Sequence, residues 1–373
     1  MRYKNEHLTP GVVADVDMEA GPILTRVCAV TSGPHRSPVP VWSPVVARDQ
    51  ERWIFDYAGQ VSRSDEQLSS VERRNQLKGS VYAPAQLLGA DLLVGTTNGY
   101  LYRLDHTGQT KAFVRLATPV YATPVVHRDF LYVSAYDNRL YRVDPATLQV
   151  VTERRTCTQV GGRGAKYDRA NPYANLLVAD DHDLILLCSY NRVSALDLAL
   201  EERAAFDLPH DIVATPVYDH QHQCVWIADT GGHVVALDIV TFKPRARYRV
   251  FGSTTASLAI SATGIVVTTE LGRIYAFARD GSGRQWDCAV NVRFGYTAPL
   301  LINHCFMVTH QAGKILCLDA FTGEFLWETE QESEVKSLPT AIHGSPVMTS
   351  GGHLLVTSND GAVFGFTFQA RSE

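Results

Sequence analysis

The sequence lacks a hydrophobic run long enough to cross a membrane, and its first residues, MRYKNEHLTPGVVADVDMEAG, have no apolar core of a secretory signal. It also lacks an excess of positive charge, since 34 Lys and Arg stand against 39 Asp and Glu and give a net charge of −5. Nucleic acids and anionic membranes attract basic surfaces. We therefore expect a cytoplasmic protein that binds neither nucleic acid nor membrane.

Cysteine is scarce and shows no pattern that would suggest pairing. The chain has seven cysteines, no C-x-x-C pair and no two that are adjacent. Those within apolar, strand-like runs are Cys188, Cys224, Cys305 and Cys317. We expect these to be buried, reduced thiols rather than disulfides or zinc ligands. No metal and no other cofactor is predicted.

Short catalytic signatures are absent as well. The sequence has no G-x-S-x-G elbow, no phosphate-binding loop with Gly-Lys-Ser/Thr, no dinucleotide fingerprint and no H-E-x-x-H. Any catalysis would therefore depend on side chains that the fold brings together from distant parts of the chain.

What the sequence does contain is a repeat. Each unit has an Ala/Ser/Thr-Pro step, an apolar run, a turn of Gly, Asn or Asp, and a second run that often ends in Asp. The proline-like position falls at Pro44, Pro84, Pro124, Leu176, Pro216, Leu258, Pro299 and Pro346. The successive spacings are 40, 40, 52, 40, 42, 41 and 47 residues. Repeats of about forty residues with strand-like alternation are typical of β-propellers.

We therefore predict an all-β fold, an eight-bladed β-propeller of four-stranded antiparallel blades. One sheet alone cannot bury both of its faces, whereas neighbouring sheets bury each other. The last unit has only three strand-like runs, so ILTRVCAV (23–30) is expected to supply its fourth strand and close the ring. The predicted organisation is a single domain over 1–373, with an N-terminal segment 1–37, repeats over 38–373 and an insertion at 155–172.

The units resemble the PQQ-repeat propellers, the superfamily of the quinoprotein alcohol dehydrogenases and the outer-membrane assembly lipoprotein. The strongest mark is LCLDAFTGEFLWE (316–328), with an apolar-Asp step, Thr-Gly, and Trp four residues after the Gly. The resemblance implies that the Asp caps a turn and that the Trp packs between blades. The quinone-dependent dehydrogenases of this superfamily carry a disulfide ring between adjacent cysteines. This chain has no adjacent cysteines, so the resemblance does not extend to that feature. A shared fold does not decide between enzyme and scaffold.

A site is predicted at one mouth of the central channel. In an up-and-down blade, the segment leading into the first strand and the turn between the second and third strands lie on the same face. Aromatic and polar side chains recur at both places, which is typical of small-molecule sites. The predicted substrate-binding residues are Trp42, Tyr82, Tyr121, Tyr136, Tyr173, Tyr190, Asp229, Glu270, Arg293 and Asp360. The alternative for each aromatic residue is packing between blades.

Acid–base catalysis is assigned to His343 and His310, with Tyr296 beside them and Arg293 gripping a carboxylate. The alternative is that both histidines are polar rim residues. A metal held by His310, His343 and Asp360 is disfavoured, because their spacing matches no known ligand signature.

The insertion RTCTQVGGRGAKYDRANPY (155–173) is basic and rich in glycine, and it is read either as a lid that binds an anion or as a tolerated surface loop.

Three functions remain open at this point. The first is a cofactor-independent enzyme of lyase, cyclase or isomerase type, which acts on a small-molecule ligand in the channel mouth and would belong to specialised metabolism. The second is a non-catalytic scaffold with a protein partner. The third, less favoured, is a quinone- or metal-dependent oxidoreductase.

Overall fold

The computed structural model describes residues 16–17, 21–29, 39–116, 118–136, 139–155, 176–262, 264–290, 292–295, 297–302, 304–310, 313–329, 345–349, 351–359 and 361–370. Strands and turns make up this part of the chain, and it contains no helix. Accordingly, none of the described segments is a helix long and apolar enough to span a membrane.

The described residues between Lys78 and Leu258 form one compact unit of four blades. Blade 2 contains β7 (Gln86–Leu88), β8 (Asp91–Gly95), β9 (Tyr100–Leu104) and β10 (Thr110–Arg115). Blade 3 contains β11 (Val125–His127), β12 (Phe130–Ser134), β13 (Arg139–Val143) and β14 (Val150–Arg155). Blade 4 contains β15 (Leu177–Ala179), β16 (Leu184–Ser189), β17 (Arg192–Leu196) and β18 (Glu202–Asp207). Blade 5 contains β19 (Val217–Asp219), β20 (Cys224–Ala228), β21 (His233–Asp238) and β22 (Pro244–Arg249).

The described residues before Lys78 and after Leu258 form the second compact unit. Blade 1 contains β3 (Val46–Arg48), β4 (Glu51–Phe55), β5 (Gln60–Asp65) and β6 (Val71–Gln76). Blade 6 contains β23 (Ala259–Ile260), β24 (Gly264–Thr268), β25 (Arg273–Ala278) and β26 (Arg284–Ala289). Blade 7 contains β27 (Leu300–Ile302), β28 (Cys305–Thr309), β29 (Ile315–Asp319) and β30 (Phe325–Glu328). Blade 8 contains β31 (Val347–Met348), β32 (His353–Thr357), β33 (Ala362–Thr367) and β2 (Ile23–Ala29), and β1 (Val16–Asp17) pairs with β34 (Gln369–Ala370).

These eight four-stranded antiparallel sheets confirm the predicted eight-bladed β-propeller. Each proline-like position of the repeat lies one or two residues before the first strand of a blade. The tight turns between second and third strands use glycine where the backbone needs a positive φ, as at Gly99 (77°) and Gly232 (84°). The repeat in the sequence therefore marks the blades correctly.

The predicted N-terminal strand is also confirmed. Strand β2 lies at the outer edge of blade 8, antiparallel to β33, with a register shift between Leu24 and Arg26. It covers the edge of β33 that the C-terminal repeat leaves open, and an open edge is a template for unwanted pairing.

The hydrophobic core lies between neighbouring blades. Second and third strands are buried on both faces, whereas fourth strands such as β10 and β22 alternate between exposed and partly buried residues. One core cluster joins blades 4 and 5, and another joins blades 7 and 8. A single blade would leave one of these apolar faces in water, so the blades stabilise one another.

The motif of blade 7 has the roles that the resemblance implied. Asp319 accepts hydrogen bonds from the backbone N–H groups of the turn that follows it. Gly323, at φ 75°, leaves room for the ring of Trp286 from blade 6, whose indole N–H donates to the Ala320 carbonyl at 3.2 Å. Trp327 is buried against Phe368 of the next blade, with ring centres 6.2 Å apart. Tryptophans therefore dock blade 6 on blade 7 and blade 7 on blade 8.

The four cysteines expected to be buried are buried, and none of them forms a disulfide within the described part of the chain. Burial raises the pKa of the Cys188 thiol to about 12. This thiol is therefore protonated at neutral pH and serves as a small apolar core group.

Deleting residues 1–30 should destabilise the protein, because it removes β2 and exposes the edge of β33. We expect the melting temperature to fall by more than about 5 °C and the thermal transition to broaden. Differential scanning calorimetry would measure both. Deleting residues 1–14 removes no described strand and serves as the control. Equal melting temperatures for the two truncations would show that β2 does not stabilise the fold.

Candidate functional site

In blades 1, 2, 3 and 5, a backbone hydrogen bond holds the lead-in segment, the stretch before a blade's first strand, against the turn between the second and third strands. The turn N–H groups of Tyr57, Thr97, Tyr136 and Thr230 donate to the carbonyls of Pro40, Ser80, Pro119 and Asp211, at 2.8 to 3.0 Å. A second set of bonds joins neighbouring blades, as from Val120 N–H to the Thr96 carbonyl at 3.0 Å. Side chains from these two places in a blade therefore share one face.

Three of the predicted substrate-binding tyrosines are in contact with one another on blades 2 and 3. The ring centres of Tyr82 and Tyr121 are 5.2 Å apart, and those of Tyr121 and Tyr136 are 5.8 Å apart. All three side chains are partly buried. We call them the tyrosine cluster.

A second aromatic contact lies in the other unit. The Trp42 ring centre is 4.6 Å from that of Tyr57, and the Trp42 indole N–H donates to the Asn359 side chain at 2.6 Å. Trp42 therefore links blade 1 to blade 8, which favours the packing role that was left open for it.

His310, predicted as a catalytic residue, is 1% exposed. Its Nε2 lies 3.0 Å from a Glu328 carboxylate oxygen, and the other oxygen of Glu328 accepts from Lys314 at 2.7 Å. Burial lowers the pKa of His310 below its ordinary 6.5, although Glu328 acts in the opposite direction. Burial alone would raise the pKa of Glu328, but the hydrogen bonds from Lys314 and His310 outweigh it and leave that pKa lowered.

The structure describes three further residues that were predicted to bind substrate. Arg293 is exposed beside Phe294, which forms an isolated β-bridge with His310. Glu270 is partly buried in the turn of blade 6. Tyr190 has a positive φ of 52°, and its carbonyl accepts from Ile212 N–H at 2.7 Å.

Four predicted site residues lie outside the described residues: His343, Tyr296, Tyr173 and Asp360. The insertion at 155–172 also falls outside them, apart from its first residue. The pairing of His310 with His343 and the lid therefore stay predictions.

Asp229 is fully buried at the end of β20 and has two roles. One is structural: Oδ1 accepts from His233 N–H at 2.8 Å, much as Asp56 in blade 1 accepts from Gln60 N–H. The other involves imidazole: Oδ2 lies 2.8 Å from His233 Nδ1 and 3.1 Å from the backbone nitrogen of His210. A buried carboxylate that orients an imidazole is an arrangement used in acid–base catalysis.

His210 and His233 were not predicted. Their rings are stacked with centres 5.5 Å apart, and His210 Nδ1 lies 3.7 Å from Asp229. Gly231 permits this, because a Cβ there would collide with the His210 ring. The Asp-x-x-x-His spacing from Asp229 to His233 could have indicated the contact, since it spans one tight turn.

These three residues also have donor atoms close enough together to hold a metal ion. However, a guanidinium nitrogen of Arg249 contacts the His233 ring. A fixed positive charge at this position disfavours a second cation and favours an anion or a proton-transfer role. A second such group, Asp180, Asp181 and His220, lies in the turns between first and second strands of blades 4 and 5.

The residues do not fit the quinone cofactor of the dehydrogenases in this superfamily. The chain has no adjacent cysteines, so the disulfide ring that covers the quinone cannot form. Cys305 and Cys317 lie in the core of blades 7 and 8 instead.

Fold and sequence comparisons agree on the class of protein, an eight-bladed propeller of the PQQ-repeat type. BamB from Moraxella catarrhalis superposes with a TM-score of 0.74 at 18% identity, over 93% of this chain and all of that one. The computationally designed Ika8 protein gives 0.72 at 13% identity, over 90% and 97%. No curated protein sequence matches. The family model described as outer membrane protein assembly factor BamB matches residues 46–288 and 272–371, and the chain belongs to that family.

The buried histidine gives a pH prediction. Because the folded pKa of His310 lies below 6.5, its contribution to stability is complete above pH 6.5 and is lost as the pH falls through the folded pKa. We expect the free energy of unfolding to fall more steeply between pH 7 and 5 in the wild type than in His310→Gln. Urea titrations at each pH would measure it. The control is His106→Gln, which replaces an exposed histidine. Parallel curves for the wild type and His310→Gln would contradict this prediction.

Proposed function

We propose that this chain is a non-catalytic interaction scaffold that binds a protein partner through the tyrosine cluster on blades 2 and 3. The observation that carries the proposal is that cluster itself, in which Tyr82, Tyr121 and Tyr136 combine aromatic area with polar tips on one face. Tyrosine is enriched at protein interfaces for this reason.

Two further points support a scaffold over an enzyme. The family model is described as an outer membrane protein assembly factor, which is the name of an assembly component. In addition, His310 is sealed from solvent and paired with Glu328, so it is poorly placed to exchange protons with a ligand. A cytoplasmic location remains the expectation from the sequence, and the partner would then be cytoplasmic as well.

The test begins with the tagged chain isolated from its native host. We expect a stoichiometric complex that can be rebuilt from the purified partner. The double variant Tyr121→Asp/Tyr136→Asp places charge in the aromatic contact and should weaken the rebuilt complex at least about tenfold. Isothermal titration calorimetry would measure the affinity, and far-ultraviolet circular dichroism would confirm folding.

The matched control is Val240→Asp, because Val240 is 72% exposed in the turn between β21 and β22, away from the cluster. It should bind as the wild type does. A chain that stays monomeric in native extracts, or a double variant with wild-type affinity, would overturn the scaffold proposal.

The second candidate is the cofactor-independent enzyme of lyase, cyclase or isomerase type, and Asp229 with His233 favours it. In the tautomer that carries its proton on Nδ1, His233 donates to Asp229 and its Nε2 accepts from Arg249. An anionic ligand that drew Arg249 aside would leave Nε2 as a base. The acid–base site would then be centred on blade 5 rather than on His310.

This candidate predicts which histidine matters. The purified chain would be incubated with metabolites from its host, and their consumption followed by mass spectrometry. His233→Gln should abolish turnover, because it removes the proposed base, whereas His310→Gln should retain it. His343→Gln tests the pair predicted from the sequence. Loss in His310→Gln and His343→Gln alone would restore that pair, and no consumed metabolite would exclude the enzyme.

A further inference from the structure

Next to the tyrosine cluster, blade 2 carries an open cleft of about 570 Å³. Its walls come from the segment before β7, the turn between β8 and β9, the facing ends of β9 and β10, and the link from β10 to blade 3. The lining residues are Lys78, Thr97, Asn98, Tyr100, Arg115, Thr118 and Pro119. Pro119 also accepts the backbone hydrogen bond from Tyr136, so the cleft and the tyrosine cluster adjoin.

Two cations flank one aromatic ring in this cleft. Lys78 Nζ lies 5.8 Å from the Tyr100 ring centre, and Arg115 Cζ lies 5.7 Å from it. Neither cation has a carboxylate within salt-bridge distance in the described parts of the chain. Both are exposed, so the cleft is a site of uncompensated positive charge.

In two other blades, an acid neutralises the arginine at the start of the third strand. In blade 4, Arg192 at the start of the third strand pairs with Asp207 at the end of the fourth, at 3.1 Å. In blade 3, Arg139 at the start of the third strand pairs with Glu153. In blade 2, the facing pair is Tyr100 and Arg115, and neither of the two is an acid. A ligand carboxylate would supply the missing partner.

The remaining polar groups favour a hydrogen-bond acceptor in the cleft. Among the residues that the structure describes, the buried hydroxyl of Thr118 has no hydrogen-bond partner. Burying a hydroxyl without a partner is costly, and a bound oxygen would relieve that cost. The Thr97 hydroxyl is already used, since it accepts from Ser80 N–H at 2.9 Å.

An apolar shelf continues from the cleft along β10. Phe113 is 60% exposed, and its ring centre lies 6.0 Å from that of Tyr100 and 5.9 Å from that of Tyr102. A ligand that placed a carboxylate at Arg115 would therefore reach Phe113 with an apolar group two residues further along the strand. Carboxylates beside apolar side chains are a property of acidic peptide segments.

We propose that the cleft binds an acidic segment of a partner protein, with a carboxylate between Lys78 and Arg115 and a neighbouring apolar side chain on Phe113. The proposal rests on the scaffold function and specifies the partner's chemistry. The net charge of −5 argues against long polyanions, because their other charges would meet an acidic surface. A short segment with a few carboxylates would contact only the positive charge of the cleft and not the acidic surface around it.

The test uses the full chain and two fluorescein-labelled twelve-residue peptides, one with Glu-Glu-Phe repeated four times and one with Gln-Gln-Phe repeated four times. Fluorescence anisotropy would measure binding. The acidic peptide should bind at least about tenfold more tightly than the amide peptide, and its affinity should fall as salt is raised.

The decisive variant is Lys78→Gln/Arg115→Gln, which should lower the affinity for the acidic peptide at least about tenfold. The matched control is Lys111→Gln/Lys243→Gln, which removes the same charge at two exposed lysines outside the cleft and should change affinity less than about twofold. Phe113→Ser should weaken binding of both peptides, because it removes the shelf.

Several outcomes would overturn the proposal: equal binding of both peptides, equal losses in the two double variants, or displacement of the acidic peptide by inorganic phosphate as readily as by glutamate. The last would indicate a general anion site. A native complex that requires Tyr121 but tolerates Lys78→Gln/Arg115→Gln would refute the cleft proposal and leave the scaffold function standing.

Discussion

The hydrogen bond from the turn between second and third strands to the lead-in segment of the same blade is the constraint on which the candidate surface depends. It recurs in blades 1, 2, 3 and 5 at 2.8 to 3.0 Å. Both partners are backbone groups, so the bond does not depend on which side chains the positions carry. Different side chains can therefore occupy these positions while their placement on one face is retained, which is why one scaffold can present tyrosines in blades 2 and 3 and an Asp–His contact in blade 5.

The same turn position also explains how a structural residue can acquire chemistry. In blades 1 and 5 it is an aspartate, and in both its Oδ1 accepts a turn N–H. The second oxygen of Asp56 is buried and has no partner within the described ranges, whereas the second oxygen of Asp229 is shared by His233 and the backbone of His210. One additional histidine four residues later thus converts a turn cap into an oriented imidazole. The hydrogen bonds of the turn therefore keep this carboxylate fixed and desolvated without any bound ligand.

Sequence reasoning recovered the fold because the repeat is a local signal: proline before the first strand, glycine in the turn and aspartate after the third strand each act within a few residues. It also brought together Tyr82, Tyr121 and Tyr136, since their positions in the repeat define their face. It could not foresee that His310 is sealed by Glu328, because that contact joins the end of one strand to a residue eighteen positions on. Burial and pairing of this kind depend on how strands pack side by side, which spacing along the chain does not report.

Charge distribution decides how such an acidic molecule can still select an acidic partner. Many of its surface arginines are held by carboxylates of the same blade, as Arg192 is by Asp207 and Arg245 is by Asp238. These pairs cancel at distances beyond a Debye length, so an approaching protein meets weak repulsion from the net charge. At Lys78 and Arg115 no such pair forms among the described residues, so a local attraction remains, and it acts over a few ångströms beside an aromatic surface. A partner must then match charge and apolar contact together, which is a more selective requirement than either alone.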